Sequence, residues 1–155
     1  MENCDVCNVL ETHNNGRDVE VMQTDSWRAV LDEDQRSLGK MFVTLLEHKP
    51  NLESLSREDA AELFVVMQAL ERQIKNAYNP SHFNWQCLMN LAIEAGQETH
   101  VHWHLHPRYD SPVDVDGEVF HDGVKNKTAH IVNREKLVKI RQDILGETTG
   151  NTNGN

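Results

Sequence analysis

His100-Val101-His102-Trp103-His104-Leu105-His106-Pro107-Arg108 alternates imidazole with apolar side chains and then runs into a proline and an arginine. Alternation of this kind is the period of a β-strand. All four histidines then share one face, while Val101, Trp103 and Leu105 turn into a core. A helix would scatter the imidazoles around its axis. Pro107 lacks an N–H, so the central ladder ends there or the chain beyond it lies at an edge. Packing alone does not call for four imidazoles on one strand face. Clustered histidines serve metals, proton transfer or nucleophilic chemistry.

The chain around this stretch has 155 residues, is 38% hydrophobic and carries a formal charge of −10. That is enough for one domain with a real core. A diffuse acidic surface argues against nonspecific binding to nucleic acid or to an anionic membrane. It leaves room for a small phosphate ligand, because a pocket can be locally positive. No apolar run is long enough for a membrane span, and Met1-Glu2-Asn3-Cys4-Asp5 does not read as a signal peptide. Three cysteines without a secretion signal make a disulfide framework the wrong expectation and the reducing cytoplasm the default compartment.

Working outward, Val19-Glu20-Val21-Met22-Gln23 and Trp27-Arg28-Ala29-Val30-Leu31 read as strands, residues 32–39 as a charged loop, and Lys40 to Leu46 as a buried strand. Ser56-Arg57-Glu58-Asp59 has the spacing of a helix N-cap. Behind it Ala60, Leu63, Phe64, Met67, Leu70, Ile74 and Ala77 recur as the buried stripe of one long helix, stopped by Asn79-Pro80-Ser81. Phe83 to Asn90 is strand-like, and residues 110–128, rich in Asp, Gly and Pro, read as loop. Asn133 caps a second helix that buries Leu137, Ile140 and Ile144. The sum is an α+β domain, an antiparallel sheet with one long and one short helix. Residues 1–145 form this single domain, and the polar tail 146–155 is expected to be disordered.

Same-face side chains on a strand lie roughly 6.6–6.8 Å apart, so the four histidines do not converge on one ion. A division of labour results. Cys4-Asp5-Val6-Cys7 supplies two soft ligands for zinc, and His48 and His100 are the candidates to complete a closed, structural site. His102 and His104 remain free. A neutral imidazole is a competent nucleophile, and next to an anionic phosphorus centre one histidine can attack while its neighbour and Arg108 hydrogen-bond the phosphoryl oxygens.

These residues resemble the motif of the histidine triad (HIT) superfamily of nucleotide hydrolases and transferases, His-φ-His-φ-His-φ-φ followed by Pro-Arg. Ala95-Gly96-Gln97 is similar to the Ala-Gly-Gln that precedes the triad, and Cys4, Cys7 and His48 look like the zinc-binding branch. The likeness runs from about Cys4 to Arg108, and its most specific part is the triad with Pro-Arg. The resemblance implies that His102 is the nucleophile, forming a nucleotidyl-histidine intermediate, and that His104 contacts the phosphate and leaving-group side. His100 would be the fourth zinc ligand beside Cys4, Cys7 and His48. Asp32 would bind ribose, Asn90 would help hold phosphate or ribose, and Trp27 or Leu31 would border the base. A homodimer is implied as well.

The chain departs from the family at three points. Gln97-Glu98-Thr99 reaches the first histidine one residue early, Glu98 stands where a phosphate-binding hydroxyl is usual, and His106 replaces an apolar residue. His106 is read either as an extra site residue or, the favoured reading, as exposed before Pro107. The function expected is hydrolysis or transfer of a nucleotidyl group from a dinucleoside polyphosphate or a related nucleoside phosphate derivative. Two readings compete with it. One is an inactive nucleotide- or zinc-binding interaction module, for which Glu98 speaks. The other is a metalloenzyme whose histidines hold a catalytic ion.

Overall fold

The computed structural model describes residues 3–12, 19–123 and 128–147. Its centre is a five-stranded antiparallel sheet built from β1 (Glu20–Gln23), β2 (Trp27–Leu31), β3 (Met41–Leu45), β4 (His82–Gln86) and β5 (His102–Arg108), in the order β1-β2-β3-β5-β4. The alternating sequence of each strand divides its side chains between two environments. Trp27, Ala29 and Leu31 of β2, Met41, Val43 and Leu45 of β3, and Val101 and Leu105 beside and within β5 are buried on one face. The long helix α2 (Arg57–Tyr78) covers that face with Leu63, Val66, Leu70 and Ile74. α4 (Arg134–Leu145) adds Leu137, Ile140 and Ile144.

Helix α2 starts as its sequence dictates. The Ser56 side chain accepts from the Asp59 amide at 2.9 Å, and Asp59 accepts from the Ser56 amide at 2.9 Å, closing a capping box. Asn79 ends the helix in the left-handed region at φ 48°. Its buried stripe is rotated from the expected one. Phe64 is 66% exposed, and Val66 takes the core position instead. The reason is geometric, because the 63, 66, 70, 74 series and Phe64 lie on different sides of one cylinder.

Other expectations are corrected. The described residues hold four α-helices, not two. α1 (Asp5–Thr12) begins directly after Cys4, and the short α3 (Asn90–Glu94) occupies the end of what reads as a strand, which stops at Gln86. Residues 110–128 are not all loop. β6 (Val113–Val115) and β7 (Glu118–Phe120) form a hairpin. Asp116 and Gly117 at its tip have φ 49° and 77°, the conformation that a two-residue Asp-Gly turn requires. β5 continues through Pro107, paired with Phe83 of β4, while its ladder with β3 ends at Leu105. The proline therefore marks the point beyond which β5 has one partner strand rather than two. Residues 32–39 carry charge yet are largely buried: Gln35 and Leu38 are fully covered, and the Gln35 amide bridges the carbonyls of Asp32 and Lys40 at 2.6 and 2.9 Å. In the expected tail, Gly146 caps α4, and residues 148–155 lie outside the described residues. Among the described residues no helix is long and apolar enough to cross a membrane.

Candidate active site and metal-ligand cluster

The sheet face opposite α2 carries the histidines. Register sets their neighbours: Thr44 pairs with His102, Phe42 with His104, and on the other side Gln86 pairs with His104 and Asn84 with His106. The rings form a continuous row. His102 and His104 are 5.0 Å apart edge to face, and His104 stacks on His106 at 6.2 Å with an interplanar angle of 9°. Phe42 closes edge-on against His104 at 4.8 Å.

His102 is held by its own chain. Its Nδ1 lies 2.7 Å from the His100 carbonyl. A carbonyl can only accept, so Nδ1 carries the hydrogen and Nε2 of the neutral ring keeps its lone pair. The ring lines a cleft of ≈ 390 Å³ together with Val30, Leu31, Asp32, Phe42 and Thr44, and Val6 and Val9 of α1 complete its wall. That volume suits a small organic ligand. Asp32 sits at the rim, where Lys40 approaches it at 2.6 Å and the Asp34 amide donates to it at 2.9 Å. His104 is neutral at ordinary pH: burial, then the neighbouring His102, His106 and Lys40, push its pKa down to about 4.

Four further residues take places other than those read from sequence. Trp27 is fully buried in the core, and its indole N–H donates to the Asp59 carbonyl at 2.9 Å. It is a packing residue, and Leu31, the alternative, is the one that lines the cleft. His106 is half-buried, not exposed. It lines a second cavity, of ≈ 220 Å³, with Arg36, Ser37, Asn84, Gln86, Arg108 and Gly123. Asn90 is exposed at the start of α3 and lines neither the cleft nor this cavity. Arg108 belongs to the second cavity, not to the cleft at His102. Its guanidinium forms a two-pronged ion pair with Asp122, which also accepts from the Tyr109 amide at 2.9 Å. The cleft residues Phe42, Thr44, Val6 and Val9 were not singled out from sequence. Once β3 is a strand, Phe42 and Thr44 lie on the face opposite Met41, Val43 and Leu45, but the cross-strand register that sets them beside His104 and His102 is invisible in one chain.

Cys4, Cys7, His48 and His100 converge, with their donor atoms all within 4.8 Å of one another. Cys4 Sγ lies 3.6 Å from His100 Nδ1, and Cys7 Sγ lies 3.3 and 3.4 Å from Nδ1 of His48 and His100. Zinc bonds of about 2.3 Å to sulfur and about 2.0–2.1 Å to nitrogen set such ligands about 3.6 Å apart at the corners of a tetrahedron. Both imidazoles turn Nδ1 inward and use Nε2 outward, His100 towards the Leu45 carbonyl at 2.7 Å and His48 towards Glu98 at 3.7 Å. That is the second-sphere pattern of metal-bound histidine. The donor set thus fits a closed tetrahedral zinc site. Burial and the adjacent Cys4 raise the Cys7 thiol to about 11. Glu98, the departure that spoke for an inactive module, directs its carboxylate to His48, and Thr99 donates to the Pro50 carbonyl at 2.7 Å.

The site thus consists of a histidine strand inside an antiparallel sheet, a cleft at its second histidine and a Cys2His2 cluster at its first. The HIT domain family profile matches residues 14–111, and the chain belongs to that family. It includes nucleotide hydrolases and transferases. No curated protein matches the chain by sequence. Solved structures agree on the fold. A hypothetical histidine triad nucleotide-binding protein from Sulfolobus tokodaii is similar at a TM-score of 0.68 and 21% identity, over 92% of this chain and 93% of that one. A zinc-bound histidine triad family protein from Mycobacterium smegmatis gives 0.64 at 17% identity, over 92% and 94%. A HIT family protein from Bacillus anthracis gives 0.58 at 27% identity, over 95% and 98%.

Proposed function

We propose that this HIT protein is a nucleotide hydrolase or nucleotidyltransferase acting on dinucleoside polyphosphates or related nucleoside phosphate derivatives, with His102 as its nucleophile. The observation that carries the reading is the His102 ring itself, whose Nδ1 is committed to the His100 carbonyl at 2.7 Å while the ring borders the cleft. Nε2 attacks the α-phosphorus, a P–N bond forms, and the P–O bond to the leaving group breaks. Water, or another acceptor hydroxyl, then attacks the same phosphorus, releases His102 and gives up its proton. His104, 5.0 Å from His102 and uncharged, is placed to hydrogen-bond the departing oxygen. The apolar wall of Val6, Val9, Val30 and Leu31 takes the base, and Asp32 takes the ribose hydroxyls.

Cys4, Cys7, His48 and His100 would hold zinc, which would cross-link three chain segments rather than activate substrate, because four protein ligands leave no open position. The four ligands would thereby tie the start of α1, which walls the cleft, to the first residue of the histidine motif. The zinc-bound relative supports this assignment. The same reading includes one domain over residues 1–145, a homodimer and a cytoplasmic location.

Incubation with diadenosine tetraphosphate, read by chromatography, tests the activity. The wild type should release a mononucleotide, and His102→Ala should lower the rate at least a thousandfold with zinc content and melting temperature near wild type, as for loss of a covalent nucleophile. Turnover that survives in His102→Ala would remove the role assigned to it.

A further inference from the structure

We propose that zinc and nucleotide bind this chain cooperatively, each raising its affinity for the other, with the seating of α1 as the shared step. The inference rests on the nucleotidyl reading and adds to it a coupling between the Cys2His2 cluster and the cleft.

α1 takes its place from the two cysteines. From Asn3 to Glu11, Cys4 and Cys7 are the only buried side chains. No described side chain of α1 belongs to the hydrophobic core or to the partly buried shell packed on it. The first turn is closed by Cys4 as well: the Cys7 amide donates to Cys4 Sγ at 3.4 Å and the Asn8 amide to the Cys4 carbonyl at 3.0 Å. Exposed Asn3 adds two hydrogen bonds to the loop before the histidine strand, from the Glu98 amide to its carbonyl at 2.9 Å and from its side chain to the Gly96 carbonyl at 3.2 Å. A helix of eight residues is marginal in water by itself. Gathering Cys4 and Cys7 onto one ion with His48 and His100 would therefore seat α1 where no core side chain does.

The same helix is a wall of the nucleotide cleft. Val6 and Val9 line its ≈ 390 Å³ with Val30, Leu31 and Phe42, which together make up its apolar surface. Val6 stands between the two cysteines in sequence and Val9 two residues past Cys7, so neither keeps its place once the cysteines leave theirs. A base in the cleft touches Val6 and Val9 only while α1 is seated, and the four metal-binding side chains meet only while α1 is seated. Zinc and nucleotide thus favour the same state of one helix, which is the condition for positive coupling between two sites. His100 makes a second link. Its Nδ1 lies 3.6 and 3.4 Å from the two sulfurs, and its carbonyl holds Nδ1 of His102 at 2.7 Å, so fixing the first histidine also fixes the ring that borders the cleft.

Competition between zinc-loaded protein and a chromophoric zinc chelator tests the coupling without turnover. Saturating adenosine monophosphate (AMP) should raise the zinc affinity of the wild type about tenfold. By reciprocity, calorimetry should find that zinc-loaded protein binds AMP tighter than metal-free protein by the same factor. The chelator measurement starts from the loaded protein, so it stays decisive even where the metal-free chain does not fold. Val9→Ser, which alters the wall and no zinc ligand, should match the zinc affinity of the wild type without AMP and lose most of the increase with it. Equal zinc affinity with and without bound AMP would overturn the proposal and leave the nucleotidyl reading standing. A zinc-loaded wild type that does not bind AMP would defeat the nucleotidyl reading, and the coupling with it.

Discussion

Replacing Trp27 by Phe separates the fold from the site. The indole is fully buried on the α2 side of the sheet, and its N–H reaches the Asp59 carbonyl at 2.9 Å, tying β2 to the first turn of α2. The carbonyl stays within the helix, so the lost hydrogen bond costs about 1 kcal/mol. The volume lost with the smaller ring adds about 1–2 kcal/mol in a core that closes only partly around it. For a domain of this size, about 2–3 kcal/mol lowers the melting temperature by about 4–12 °C. Differential scanning calorimetry measures that shift, and nucleotide KM is measured below the transition. A lower Tm is expected, with KM within about twofold of wild type. An unchanged Tm with KM raised tenfold would place Trp27 at the base after all and refute the packing argument.

Removing zinc with a strong chelator, or replacing Cys4 by Ser, should lower the melting temperature and loosen α1, which hydrogen exchange at Val6 and Val9 would register; metal analysis should find one zinc per chain in the untreated protein. Equal melting curves with and without metal would contradict a structural ion. Asp59 is held well below the usual carboxylate range, first by Lys49 at 2.5 Å and then by Ser56. A depressed folded pKa gives stability that is present above the unfolded value and lost as pH falls through the folded one. Asp59→Asn should therefore melt below wild type at pH 7, with the gap closing as the pH drops below about 4; a gap that stays constant in acid would show that the charge does not matter.

The sheet was legible because β2 and the histidine strand carry a period of two and Lys40 to Leu46 is a short apolar run between polar segments. The β2, β3 and β5 side chains fall on the faces that their sequence period assigns, and the capping box at Ser56 and Asp59 locates α2. The Cys2His2 cluster was also readable, since Cys4 and Cys7 have a zinc-ligand spacing and His48 and His100 were the candidates to complete it. What remained hidden depended on contacts distant in sequence. Trp27 and Leu31 share the buried strand face, and only the folded chain shows that Leu31, at the strand's end, also borders the cleft. His106 looks exposed beside Pro107 until β4 is laid alongside with Asn84 and Gln86. The Asp116-Gly117 turn between Val113-Asp114-Val115 and Glu118-Val119-Phe120 was a readable hairpin signal, obscured by the polar composition around it. Arg108 shows the limit of motif reasoning, because no local pattern announces its partner Asp122.

The central claim is that phosphorus becomes bonded to His102. Wild-type protein mixed with excess diadenosine tetraphosphate, quenched in alkali within the first turnovers and digested, should yield the peptide containing His102 with one adenylyl group attached, seen by mass spectrometry. An adenylyl group on any other histidine, or mononucleotide release with His102 never modified, would contradict the account.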